Sequence, residues 1–144
     1  MFCRIVAGDE EASFAYTDAA TVAFADRQPV NPGHVLIVPR LHISRIADLD
    51  SATANHIWAT AILIGTVITK LGGETVGVNL QLSDGEVAGQ EVEHVHVHVI
   101  PRHRDDGYRV DADAWHGPAP SRRQLDESVA SLRVALSSPP DTAS

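Results

Sequence analysis

The 144 residues contain a single cysteine, Cys3. An intrachain disulfide framework is therefore excluded, and a reducing, cytoplasmic setting is expected. Positive charge is also scarce. Eleven Lys and Arg stand against 19 Asp and Glu, for a formal charge of −8. Proteins that grip nucleic acid polymers carry a basic surface, so no such partner is expected; a small phosphorylated ligand needs only a local site. The longest apolar stretch, Ile57 to Leu71, is broken by Thr, Gly and Lys, and no membrane span is expected. The N-terminus lacks a charged segment followed by an apolar one, so no signal peptide is expected. Internal repeats are absent. What remains is a chain of ordinary single-domain size, 44% hydrophobic and 21% charged, the balance of a globular protein.

Local patterns divide this chain into elements. Residues 2–7 read as one helical turn ended by Gly8-Asp9. Residues 14–16 and 21–24 read as strands joined by a turn at Asp18-Ala19-Ala20. A loop over 26–32 carries two prolines, and a strand over 34–39 stops at Pro39. Asp50 or Ser51 caps a long helix running to Leu71, with Ile57, Ala61, Ile64, Ile68 and Leu71 at helical spacing and Gly72-Gly73 at its end. Residues 75–82 form the next strand, and a glycine-containing loop over 83–90 follows. Ser121 and Gln124 make a capping box for a C-terminal helix to Leu136, with a stripe of Leu125, Val129, Leu132 and Leu136. Both helical stripes read as core. A single domain over 1–136 and a flexible tail over 137–144 are expected. The element order predicts an α+β fold with an antiparallel sheet.

One stretch needs a chemical explanation. His94-Val95-His96-Val97-His98-Val99-Ile100 alternates strictly, which predicts a strand. Val95, Val97 and Val99 then face a core, and His94, His96 and His98 share the opposite face. Burying three imidazoles would require a polar partner for each ring. Neutral imidazole can attack phosphorus, provided a neighbour fixes one ring nitrogen and leaves the other free. Two histidines at i and i+2 could instead share a metal ion, as in a metal hydrolase. Both readings stay open on the residues alone.

The stretch resembles the signature of the histidine-triad (HIT) superfamily, in which histidine alternates with apolar residues. Further resemblances keep its order: Gly89-Gln90-Glu91-Val92 upstream, Gly33 to Pro39 as the first motif strand, and Phe2 to Val6 with Gly8-Asp9 as the start of bacterial members. The likeness covers about residues 2–104. It implies a five-stranded antiparallel sheet with one long and one C-terminal helix, and a homodimer. It implies a nucleotide hydrolase or nucleotidyltransferase acting on dinucleoside polyphosphates or nucleoside phosphoramidates, with adenosine or another purine as the usual base. His96 would be the nucleophile, His94 and His98 would orient it and handle the phosphate and the leaving-group proton, and His34 would support this network. Asp26 would meet the ribose hydroxyls, and Asn79 and Gln90 would lie near the phosphates. A non-catalytic nucleotide-binding module would keep the same pocket.

Two departures from the family pattern stand out. Cys3 is alone where bacterial relatives carry Cys-x-x-Cys for a structural zinc, so no zinc is expected. Ser83 stands where the diadenosine-polyphosphate branch places a phosphate-binding glutamine. No cofactor is expected to be required, although Mg²⁺ could accompany a polyphosphate substrate. Elsewhere, His42 reads as a surface or supporting residue and His56 as a solvated helix position. Arg102 and His103 read as a solvated loop with the option of touching phosphate. Trp115 is equally a site cover, a dimer contact or a core residue.

Overall fold

Five strands pair into one antiparallel sheet: β1 (Phe14–Thr17), β2 (Thr21–Ala25), β3 (Val35–Pro39), β4 (Gly77–Leu82) and β5 (Val97–Arg102). Their spatial order is β1-β2-β3-β5-β4. The structure is a computed structural model and describes residues 1–109 and 117–137. The sequence-predicted strands all form; outside the histidine stretch each matches at one end and is displaced by one or two residues at the other. Two compact units result, Met1–Tyr108 and Arg109–Ser144.

Alternation along the strands sends side chains to two different cores. On one face, Ala23, Val35, Ile37, Val97 and Val99 pack against Ile57 and Ala61 of helix α2 (Ser51–Leu71). On the other face, Val22, Phe24, Leu36 and Val38 pack against Phe2 and Ile5 of helix α1 (Phe2–Ala7). Fully burying each such large side chain contributes roughly 1.5–3 kcal/mol. The Asp50 side chain caps α2 by accepting the Thr53 N–H at 2.9 Å, and Gly72 ends it in the positive-φ region at 76°. Small residues let this helix sit close to the sheet: a Cβ at Gly65 would stand 3.2 Å from Val78 Cγ2. Contrary to the sequence reading, α2 is long and apolar enough by composition to cross a bilayer. Here its inner face lies on β3, β4 and β5.

The turn between β1 and β2 is built on Asp18. Its carboxylate accepts the N–H groups of Ala20 and Thr21, the Thr21 and Tyr16 hydroxyls, and His56 Nε2 of α2 at 2.8 Å. Burial opposes ionisation, but these donors hold Asp18 well below the usual carboxylate range. His56 is therefore a tie between helix and turn, not the solvated position its lone place on the helix suggested.

In the C-terminal unit, Ser121 and Gln124 form the predicted capping box. The single predicted helix is two, α3 (Arg122–Ser128) and α4 (Ala130–Ser137), interrupted at Val129. Its stripe is not core: Leu125, Val129, Leu132 and Leu136 are all exposed. Trp115 and the tail over 138–144 lie outside the described residues.

Candidate active site

The histidine stretch keeps its alternation but not its predicted strand. Val95, Val97 and Val99 are buried, while the β5 ladder starts only at Val97, opposite Ile37 and Leu82. Residues before it bond differently. Val95 N–H donates to the Ile43 carbonyl at 2.7 Å. The His94 carbonyl, outside the ladder, accepts from His96 Nδ1 at 2.7 Å. An imidazole that donates through Nδ1 carries its lone pair on Nε2. His96 Nε2 has no hydrogen-bond partner among the described residues, and the ring lines a cavity of about 870 Å³.

His98 reaches the opposite tautomer through a relay. Val30 N–H donates to His34 Nδ1 at 3.2 Å, so the His34 proton sits on Nε2. That nitrogen meets His98 Nδ1 at 3.0 Å, which leaves the His98 proton on Nε2. Asp26 Oδ2 lies 3.5 Å from His34 Nε2 and 3.8 Å from His98 Nδ1. Burial, with the neighbouring His96 and His34, pushes His98 down to about 4, and Asp26 opposes this. Burial likewise lowers His34, again against Asp26. Two adjacent rings, 5.0 Å apart between centroids, therefore offer a bare nitrogen and an N–H.

The remaining sequence candidates separate. His34, Asp26, His96, His98 and Ser83 line the cavity. The His94 ring does not: it is 1% exposed, and its Nε2 donates to the Pro39 carbonyl at 2.9 Å. What His94 presents to His96 is its backbone carbonyl, the geometry of the orienting part of its expected role. Gln90 is also turned away. Its amide oxygen accepts Gly85 N–H and its amide nitrogen donates to the Ser44 and Val92 carbonyls, so it closes the loop before the triad. Asn79 shares the histidine face through its pairing with Ile100 but lies outside the cavity lining and accepts from Arg102. Arg102 is committed to Asp106, 2.6 Å away, and His103 Nδ1 lies beside the Arg104 carbonyl. Gln81, Glu91 and Tyr108 line the cavity and were missed. The Gln81 signal was available, because alternation on β4 puts it opposite His98.

Possible metal donors form two groups among the described residues, Cys3–His42–His94 and Asp26–His34–His98, and His96 belongs to neither. The triad is thus not one ligand set. Cys3, read as alone, has His42 Nδ1 at 3.3 Å and His94 Nδ1 at 3.6 Å. With His94 Nε2 spent on a carbonyl, its Nδ1 presents a lone pair, and one thiolate with two imidazole nitrogens suits zinc with a fourth position open.

The family model described as HIT domain matches residues 7–105. The chain is 41% identical over 108 residues to an uncharacterized HIT-like protein of Methanocaldococcus jannaschii, covering 74% of this chain and 81% of that one. It is 37% identical over 92 residues to a bis(5'-adenosyl)-triphosphatase of Dictyostelium discoideum, covering 63% and 60%. A crystal structure of a HIT-family member from Bacillus subtilis superposes with a TM-score of 0.86 at 31% identity, covering 96% and 98%.

Proposed function

This chain belongs to the HIT family, and from that premise we propose that it is a nucleotidyl hydrolase or transferase working through a covalent nucleotidyl group on His96. The observation that carries this reading is the His96 Nδ1 bond to the His94 carbonyl, which leaves Nε2 bare inside the cavity. The name of the Dictyostelium relative supports nucleoside phosphoanhydrides as one substrate class. In the first step Nε2 attacks the α-phosphorus as the bond to the leaving group breaks. A bound phosphate anion offsets the effects that lower His98, so the complex takes up a proton that His98 passes from Nε2 to the departing atom. In the second step water attacks phosphorus, the phosphorus–nitrogen bond breaks, and His98 takes the water proton. Asp26, in the cavity lining beside this relay, would accept the ribose hydroxyls.

No metal takes part in either step of this reading. Mg²⁺ would serve as counter-ion to a polyphosphate. Zinc, held by Cys3, His42 and His94, would tie α1 to the segment that presents the His94 carbonyl. The alternative of a passive nucleotide binder has no use for a nitrogen kept bare. Chiral, isotopically labelled α-phosphorus tests the scheme. Two in-line displacements give net retention; direct attack by water gives inversion and eliminates the intermediate.

A further inference from the structure

Beyond the two reacting histidines, the cavity wall contains a polar pair that the reaction scheme leaves unused. Gln81 lies opposite His98 in the β4–β5 ladder, so both side chains leave the same face of the sheet from neighbouring strands. Tyr108 follows the end of β5, and both Gln81 and Tyr108 line the cavity. The Tyr108 hydroxyl donates to Gln81 Oε1 at 3.4 Å. With the amide oxygen engaged, the two N–H groups of Gln81 Nε2 are the end left to offer.

Tyr108 does not wander into this place. The Arg102 guanidinium sits 4.8 Å above its ring centroid and also donates to its backbone carbonyl. The same guanidinium grips both carboxylate oxygens of Asp106, at 2.6 and 2.8 Å. Asp106 is in turn held by Asn31 Nδ2 at 2.9 Å and by Tyr108 N–H at 3.1 Å. Arg102, Asp106 and Asn31 thus fix the Tyr108 ring, and the ring holds one amide on the strand beside His98.

The His98 end of the cavity is where a leaving group must depart, because His98 presents the N–H there. Arg27 is the one cationic side chain in the cavity lining among the described residues, and it pairs with Glu10 at 3.8 Å. Apart from His98 itself, recognition of the leaving group therefore falls to neutral donors. We infer that Gln81, oriented by Tyr108, forms a leaving-group subsite that selects substrates whose departing group carries an acceptor oxygen next to the bond that breaks. In this role Gln81 touches substrate, and Tyr108 is a positioning residue acting through it. The inference rests on the nucleotidyl-transfer reading.

The test compares two substrates in wild type, Gln81→Leu and Tyr108→Phe. One is a dinucleoside triphosphate, whose leaving group bears phosphoryl oxygens. The other is a nucleoside 5'-phosphorofluoridate, whose leaving group bears none. Loss of one neutral hydrogen bond is worth about 3- to 10-fold. Gln81→Leu is expected to lower kcat/KM for the triphosphate about tenfold and for the fluoridate less than twofold. Tyr108→Phe, which keeps the ring under Arg102, is expected to show the same selectivity loss at about threefold. Equal losses on both substrates, or none, would overturn the subsite while leaving the hydrolase reading intact. Wild-type protein that cleaves neither substrate would overturn the hydrolase reading, and the subsite with it. Thermal melts matching wild type exclude misfolding, and a Gln81→Leu variant that fails this check passes the decision to Tyr108→Phe.

Discussion

At the scale of single residues, two hydrogen bonds decide which imidazole reacts. His96 donates to a carbonyl, whereas His98 accepts from His34. His96→Asn is therefore expected to reduce turnover by at least about 10³-fold, with mononucleotide affinity by calorimetry little changed; near wild-type turnover would remove His96 as nucleophile. His34→Ala leaves His98 Nδ1 without its donor, so both tautomers become open. It is expected to lower kcat more than it raises KM, read from steady-state kinetics. The triad was legible in the sequence because period-two alternation needs no knowledge of partners. The bonding of each ring was not. Which nitrogen is free depends on Val30 and on a carbonyl freed by the late start of β5. The same limit hid Gln90 and Asn79, whose amides are taken by groups far away in the chain or on the neighbouring strand. Cys3 looked isolated because His42 and His94 lie 39 and 91 residues away.

At the scale of elements, sheet and long helix were legible because their signals are local: alternation, an Asp50 cap and a Gly72 stop. The strand over the triad was overdrawn because alternation reports burial, not ladder bonding. The second helix was overdrawn at Val129, where the apolar stripe continued but the backbone did not. Close contact between α2 and β4 gives a sharper test. Gly65→Leu is expected to destabilise the fold by about 1–3 kcal/mol, despite the better helix propensity of leucine, because its Cβ would already stand 3.2 Å from Val78 Cγ2 and the rest of the side chain must fit between helix and sheet. Chemical denaturation measures this; an unchanged midpoint would mean that α2 can lift from the sheet. The outer face of α2 behaves differently. Trp58, Ile62, Leu63 and Val67 are exposed, and a homodimer is the expected use of such a face. Sedimentation at micromolar concentration should show a dimer that Ile62→Glu dissociates.

At the scale of the whole molecule, stability should track two sets of groups in separate pH windows. His34, His94 and His98 are all lowered, chiefly by burial. Below the ordinary histidine value of about 6.5, the unfolded chain binds protons that the folded chain refuses, so stability falls as pH falls. For His98 this loss is complete near its folded value of about 4. Asp18 and Asp106 are held well below the usual carboxylate range, Asp106 mainly by Arg102. Their contribution stays intact above about pH 4 and is lost beneath it as these groups protonate. Melting temperature is thus expected to decline between pH 6.5 and 4 and to drop again at lower pH; a flat profile from 7 to 4.5 would contradict the first window. The charge of the cavity lining has a kinetic consequence as well. Glu10, Glu11, Asp26 and Glu91 line the cavity, with Arg27 the one Arg or Lys among its described lining residues, on a chain of charge −8. An anionic substrate approaches this opening uphill, the reverse of electrostatic steering. Added salt shortens the reach of the repulsion to a Debye length of about 8–10 Å at ordinary ionic strength. The second-order rate constant for a polyphosphate should therefore rise, not fall, as salt is added, with a positive slope that flattens in the double variant Glu10→Gln/Glu11→Gln and steepens in Arg27→Glu.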